Sequence, residues 1–189
     1  MPRSSQGPVA DDSEAAMTMK SVSTQHEAMA RRARPQGVHA DAFKGLAGSF
    51  LTGVAVVSAR QGRHDYGCTV SSFASLSLDP PLLLTCLTPH SATLEAIHHH
   101  AAFAVAILDD SDHSRLTAQK FAQPGAHPFA DVEVQRTEGG LAIPASWLAW
   151  ARLELWETYP GGDHEIVVGR VVDSDTADRP PSGTGAPAS

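Results

Sequence analysis

The chain has 189 residues, 42% of them hydrophobic, and its 14 Lys and Arg against 21 Asp and Glu give a formal net charge of −7. That length supports one domain with its own core, and the acidic balance without a Lys/Arg face excludes nucleic acid as the expected partner. No apolar run approaches the length of a membrane span, and the N-terminus lacks the charged-then-apolar pattern of an export signal, so a cytoplasmic protein with no membrane partner is expected.

Residues 1–38 are rich in Ser, Ala, Gln, Arg and Pro and carry no aromatic residue. They read as a disordered or loosely helical extension. Its basic cluster, Arg31, Arg32 and Arg34, reads as part of a solvated tail. Met17, Met19 and Met29 leave an alternative translation start open. A domain is expected over 39–175. It opens with a short amphipathic helix from Asp41 to Ser49, with Phe43, Leu46 and Ala47 on one face. Phe50 to Ala59 follows as a strand, and Arg60 to Asp65 as a polar turn around Gly62.

Tyr66 to Pro81 is the most informative stretch. Thr69, Ser71, Ser75 and Ser77 alternate with apolar residues including Val70, Leu76 and Leu78, and no charge occurs from Gly67 to Leu78. Period-two alternation describes a strand with one face in the core. A hydroxyl-bearing opposite face suits the wall of a pocket, where short donors and acceptors meet a polar ligand. The Ser71-Ser72 pair breaks strict alternation and predicts a bulge or bend that aims backbone N–H groups. Asp79-Pro80-Pro81 stops the ladder, because proline has no N–H to donate.

Leu82 to Leu87, bounded by Pro81 and Pro89, reads as a buried strand. Ser91 to His99 changes to helical period, with Ser91 as N-cap. Phe103 to Leu108 is a strand, Asp112 to Ala122 a helix, and Pro124 to Pro128 a loop. Trp147 to Tyr159 is a long strand that turns at Gly161-Gly162 into Asp163 to Asp173. Trp147, Trp150 and Trp156 are expected in the barrel core. Residues 176–189 read as a tail. The fold class is mainly β with short helices, as an antiparallel, Greek-key-like barrel of six to seven strands.

The only cysteines, Cys68 and Cys86, form no Cys-x-x-Cys pair and are expected as buried free thiols. His98, His99 and His100 are consecutive. On a helix they point in different directions, so no metal site is expected.

Thr69-Val70-Ser71-Ser72-Phe73-x-Ser75-x-Ser77-x-Asp79-Pro80-Pro81 resembles the signature of the flavin reductase-like family, whose fold is an FMN-binding split barrel. Phe50 to Val57, Ser91-Ala92-Thr93, Phe103-Ala104-Val105, Lys120-Phe121-Ala122, Gly162-Asp163-His164 and Gly169-Arg170-Val171 resemble its other landmarks in order. The resemblance covers roughly Phe43 to Asp173. It implies a homodimer and an NAD(P)H:flavin oxidoreductase that passes reduced FMN or FAD to a separate monooxygenase. NADH or NADPH is the implied hydride donor, and the cofactors carry the chemistry.

The same resemblance implies that Thr69, Val70, Ser71, Ser72 and Phe73 meet the isoalloxazine edge and ribityl chain. It places Ser75 by the ribityl or phosphate region and Ser91 and Thr93 at the phosphate. Phe121 either touches flavin or packs, and His164 faces the nicotinamide as the catalytic candidate. The chain departs from the family pattern at Ala106, where Asn is usual. The usual closing aromatic segment is also replaced by Arg179-Pro180-Pro181 and a Gly/Pro/Ser run. These departures leave a second reading open, a redox-inactive barrel of the same descent acting as a cyclase or isomerase on a biosynthetic intermediate.

Overall fold

The computed structural model describes residues 37–123 and 128–178. Nearly all of the expected N-terminal extension, most of the loop at 124–128 and the tail beyond 178 lie outside the described residues. The chain divides into two units, Met1–Phe50 and Leu51–Ser189. In the first, α1 (Ala40–Gly48) carries Asp41 in its first turn, and its Phe43 and Leu46 are exposed.

The described residues of the second unit form nine strands. These are β1 (Ala55–Gln61), β2 (His64–Val70), β3 (Ala74–Leu78), β4 (Pro81–Leu87), β5 (Ala102–Ile107), β6 (Val134–Arg136), β7 (Ala142–Pro144), β8 (Ala149–Pro160) and β9 (Glu165–Thr176). Seven make one antiparallel sheet in the order β2-β1-β5-β8-β9-β4-β3, and β6 and β7 form a separate pair. Two further helices are α2 (Ala92–His100) and α3 (Asp112–Phe121).

Alternation along the strands sorts the core into two faces. Val57, Val70, Phe103, Val105, Leu153, Val167 and Leu87 cluster on the inner face, joined by Leu94, Ala96 and Ile97 of α2. On the outer face, Ala104, Ala106 and Trp150 pack with Leu141 and Ile143 around β7. The small side chains of Ala104 and Ala106 let the short β6–β7 pair sit close to β5. Elsewhere on the outer face Val56 packs with Leu108 and Phe121 near the end of α3. Because both faces of β1 are covered, Ala55 to Ala59 are all buried.

Four expectations change. The first strand starts at Ala55 rather than Phe50, and Leu51 and Val54 are not buried. Ladder pairing with both neighbours begins only at Ala55. The stretch from Tyr66 to Pro81 is not one strand: β2 ends at Val70, β3 starts at Ala74, and Pro81 opens β4. Leu76 and Leu78 are exposed rather than in the core, since β3 is an edge strand paired only with β4. Finally, the three tryptophans do not share the barrel interior. Trp150 is buried on the outer face, and Trp147 meets it edge-on with ring centroids 6.5 Å apart. Trp156 is half exposed: it is the extra residue of β8 where the β8–β9 register shifts between Leu155 and Glu157, and it lies outside the outer-face cluster that buries Trp150.

Candidate functional site

A cavity of about 710 Å³ opens where β2, the end of β4, the start of α2 and the end of α3 converge. Its size falls in the range of small-molecule sites. Thr69, Val70, Ser71, Ser72, Ser91, Thr93, Phe121 and His164 all line it. Phe73 and Ser75 do not. The Phe73 side chain packs against the inner core, and Ser75 stands opposite Leu83 in the β3–β4 ladder.

The wall formed by β2 has two sides. Tyr66, Cys68 and Val70 face the inner core. Between them, Gly67 lies under the Phe121 ring, where a Cβ would come within 2.8 Å of Cε1. Glycine is therefore what admits Phe121, which is buried and meets Phe129 edge-on at 4.8 Å. The Thr69 hydroxyl donates to the Ala118 carbonyl of α3 at 2.7 Å. It anchors the helix rather than presenting a donor to the cavity.

Beyond Val70 the chain leaves the ladder. Ser72 Oγ accepts from the Cys86 N–H at 3.0 Å and donates to the Cys86 carbonyl at 3.1 Å. The exposed Ser71 hydroxyl has no partner among the described residues and is the free hydroxyl of this segment.

At the start of α2, Ser91 Oγ accepts from the Leu94 N–H at 3.4 Å, as an N-cap should. The N–H groups of Ala92 and Thr93, at the first positions of the helix, have no intrahelical acceptor. Both residues line the cavity, so the positive end of the helix meets it. The Thr93 side chain hydrogen-bonds Cys68, whose thiol burial pushes up from its ordinary value of 9.0. What Thr93 offers an anion is therefore its main chain.

His164 sits in the β8–β9 turn with Nδ1 2.9 Å from Asp163 Oδ1. That hydrogen bond, with the ring's charge, holds the Asp163 carboxyl below its usual range. The strand that follows is tied to α2 by His98 Nε2 and Glu165 Oε1 at 2.8 Å. The histidine run thus supplies a brace between α2 and the strand that leaves the turn carrying His164.

Sequence reading missed three features of the cavity. Cys68 and Cys86, expected in the core, both line it. Asp65 lines it too, held by Arg136 of β6 at 2.7 and 3.3 Å. That contact pushes the Arg136 guanidinium further up. Charge alternation around Gly62 signals a hairpin but not this long-range partner. Ala106, in contrast, packs on the outer face with Trp150 and Ile143 and is absent from the cavity wall.

The free N–H groups of α2, the Ser71 hydroxyl and the main chain around it form a donor set suited to a polar ligand with an anionic group. The flavin reductase like domain family matches residues 47–184. The reductase component of a 4-nitrophenol 4-monooxygenase/4-nitrocatechol 2-monooxygenase from Rhodococcus opacus is 35% identical over 147 residues, 78% of this chain and 75% of that protein. An actinorhodin polyketide dimerase from Streptomyces coelicolor is 38% identical over 120 residues, 63% of this chain and 67% of that protein. Among solved structures, an NADH:FAD oxidoreductase from Streptomyces globisporus superposes with a TM-score of 0.67 at 29% identity, covering 76% of this chain and 89% of that one. The order of strands, the cavity and these similarities agree: the chain belongs to the flavin reductase-like family and has its antiparallel split-barrel fold.

Proposed function

We propose that the protein is an NAD(P)H:flavin oxidoreductase that reduces FMN or FAD and supplies the reduced flavin to a partner monooxygenase. The observation that carries this reading is one cavity joining the Ser71–Ser72 segment to the N-terminus of α2. A bound flavin would supply the electron-accepting chemistry, with the nicotinamide as hydride donor. The chain's own part is to bind and orient. The N–H groups of Ala92 and Thr93 hold an anionic group at the helix dipole. The Ser71 hydroxyl and its neighbouring main chain read a polar ring edge. The Phe121 ring closes the side over Gly67 and excludes water. His164, braced by Asp163 at the cavity's edge, orients the nicotinamide. No acid or nucleophile is needed, and among the described residues no serine is hydrogen-bonded to His164, whose ring is paired with Asp163.

Exposed Leu76 and Leu78 on edge strand β3, with half-exposed Trp156 and Tyr159, support a homodimer. Light scattering on the purified protein tests it. A second reading, a redox-inactive barrel acting on a biosynthetic intermediate, is favoured by the similarity to a polyketide dimerase. The position of Ala106 weakens it, because that departure from the family lies away from the cavity. NADH and NADPH oxidation with and without added FMN or FAD decides between the two. Flavin-dependent nicotinamide consumption supports the reductase, and its absence with both flavins and both donors removes it.

A further inference from the structure

We propose that Ser72 is a positioning residue whose hydroxyl stands in for main chain opposite Cys86, so that the peptide groups of Ser71 to Phe73 are left free to read a ligand. The inference rests on the flavin reading for the identity of that ligand. It rests on the ladder geometry alone for the clamp.

Register makes the case. Ala74 is opposite Leu84 in the β3–β4 ladder. Continuing the antiparallel pairing two residues back along β3 and two forward along β4 puts Ser72 opposite Cys86. In a regular ladder the main-chain N–H and C=O of Ser72 would bond to Cys86 there. Instead Ser72 Oγ takes both partners, accepting from the Cys86 N–H at 3.0 Å and donating to its carbonyl at 3.1 Å. A hydroxyl can do this because it is both donor and acceptor.

Two consequences follow. The strand edge at Cys86 is satisfied although the chain has stepped away from it by the length of a side chain. The segment Ser71–Phe73 then belongs to neither the β1–β2 nor the β3–β4 ladder, and it takes part in no main-chain turn or loop bond among the described residues. Its peptide groups border the cavity, which Ser71 and Ser72 line. Ser72 thus contributes to binding without its own hydroxyl touching the ligand, because that hydroxyl is already engaged at Cys86.

The test has two readouts on the full chain. Amide hydrogen exchange at Cys86 in flavin-free protein reads the clamp, and titration with FMN reads its effect on the site. In the wild type the Cys86 amide is expected to be protected. Ser72→Ala is expected to release it and to weaken FMN binding about tenfold, the loss of two modest hydrogen bonds. Ser72→Thr retains the hydroxyl and is expected to restore both, together with the visible spectrum of bound flavin. If Ser72→Ala does not fold, wild-type exchange and the Ser72→Thr variant still decide the matter. A Cys86 amide that exchanges freely in the wild type overturns the clamp. So does Ser72→Ala binding FMN as well as wild type, or Ser72→Thr keeping Cys86 protected but failing to bind. If the wild type itself binds no flavin, the flavin reading fails, and Cys86 protection still judges the clamp by itself.

Discussion

Gly169 lies against the ring of Phe103 with no room for a methyl group between them: a Cβ on Gly169 would stand 2.6 Å from Phe103 Cζ and 2.9 Å from Leu153 Cβ. Phe103 is fully buried on the inner face, so its ring cannot swing out to relieve the contact. Gly169→Ala is expected to destabilise by about 1–3 kcal/mol, the usual cost of overpacking. For a domain of this size each kcal/mol lowers Tm by about 2–4 °C. Phe103→Leu in the same chain should recover part of the loss, and a double-mutant cycle by thermal unfolding measures the coupling. A Gly169→Ala protein as stable as wild type would contradict the packing.

Ser91 separates capping from phosphate binding. Ser91→Ala should cost about 1 kcal/mol of stability through the lost N-cap alone. If the start of α2 also holds a phosphate, the same change weakens FMN binding several-fold and leaves binding of riboflavin, which has no phosphate, unchanged. Equal losses for both ligands would place the phosphate elsewhere. The comparison is made by fluorescence titration with each ligand.

His164 lies in an exposed turn and packs into no core, so its replacement should leave the fold intact. His164→Ala is expected to raise the apparent KM for the nicotinamide donor several-fold with little change in flavin Kd. His164→Asn, which retains a polar side chain, should be intermediate. Steady-state kinetics at saturating flavin separates the two constants. A change in flavin Kd without one in KM would assign His164 to the flavin instead.

Cys68 makes stability depend on alkaline pH. Its thiol is raised above the ordinary value of 9.0 mainly by burial, with the Thr93 hydrogen bond opposing. Above pH 9 the unfolded chain therefore loses this proton before the folded one does. The folded state then binds more protons, and stability falls as pH rises. The contribution is fully present below the unfolded value and is lost above it. Denaturant midpoints measured from pH 8 upward should fall in the wild type and fall less in Cys68→Ala. Since the thiolate is the reactive form, Cys68 should also alkylate slowly at neutral pH, as mass spectrometry of iodoacetamide-treated protein would read.

Much of this was legible in the residues. The proline bounds of β4, the cap at Ser91 and the Gly161-Gly162 turn each have a local physical cause, and each element formed where that cause placed it. The Ser71-Ser72 irregularity predicted a bend, and the chain breaks there into two strands. Long-range features were hidden. β6 and β7 have three residues each, too short for a period to register, yet they cover the outer face at Ala104 and Ala106. Trp156 keeps the alternation of Trp150 but lies outside the cluster that buries Trp150, and nothing in the local sequence separates the two. In the site, hydroxyl type alone could not tell which serine is free. Thr69, Ser72 and Thr93 spend their side chains on Ala118, Cys86 and Cys68, and only tertiary contacts reveal that.

The most direct test of the flavin reductase reading is anaerobic rapid mixing of the protein, loaded with FMN or FAD, against NADH and then NADPH, followed by the visible absorbance of the flavin. The expected result is saturable bleaching of the flavin band at a rate that depends on the protein and the donor. A flavin band that persists with both donors and both flavins would contradict it and leave the cavity to another ligand.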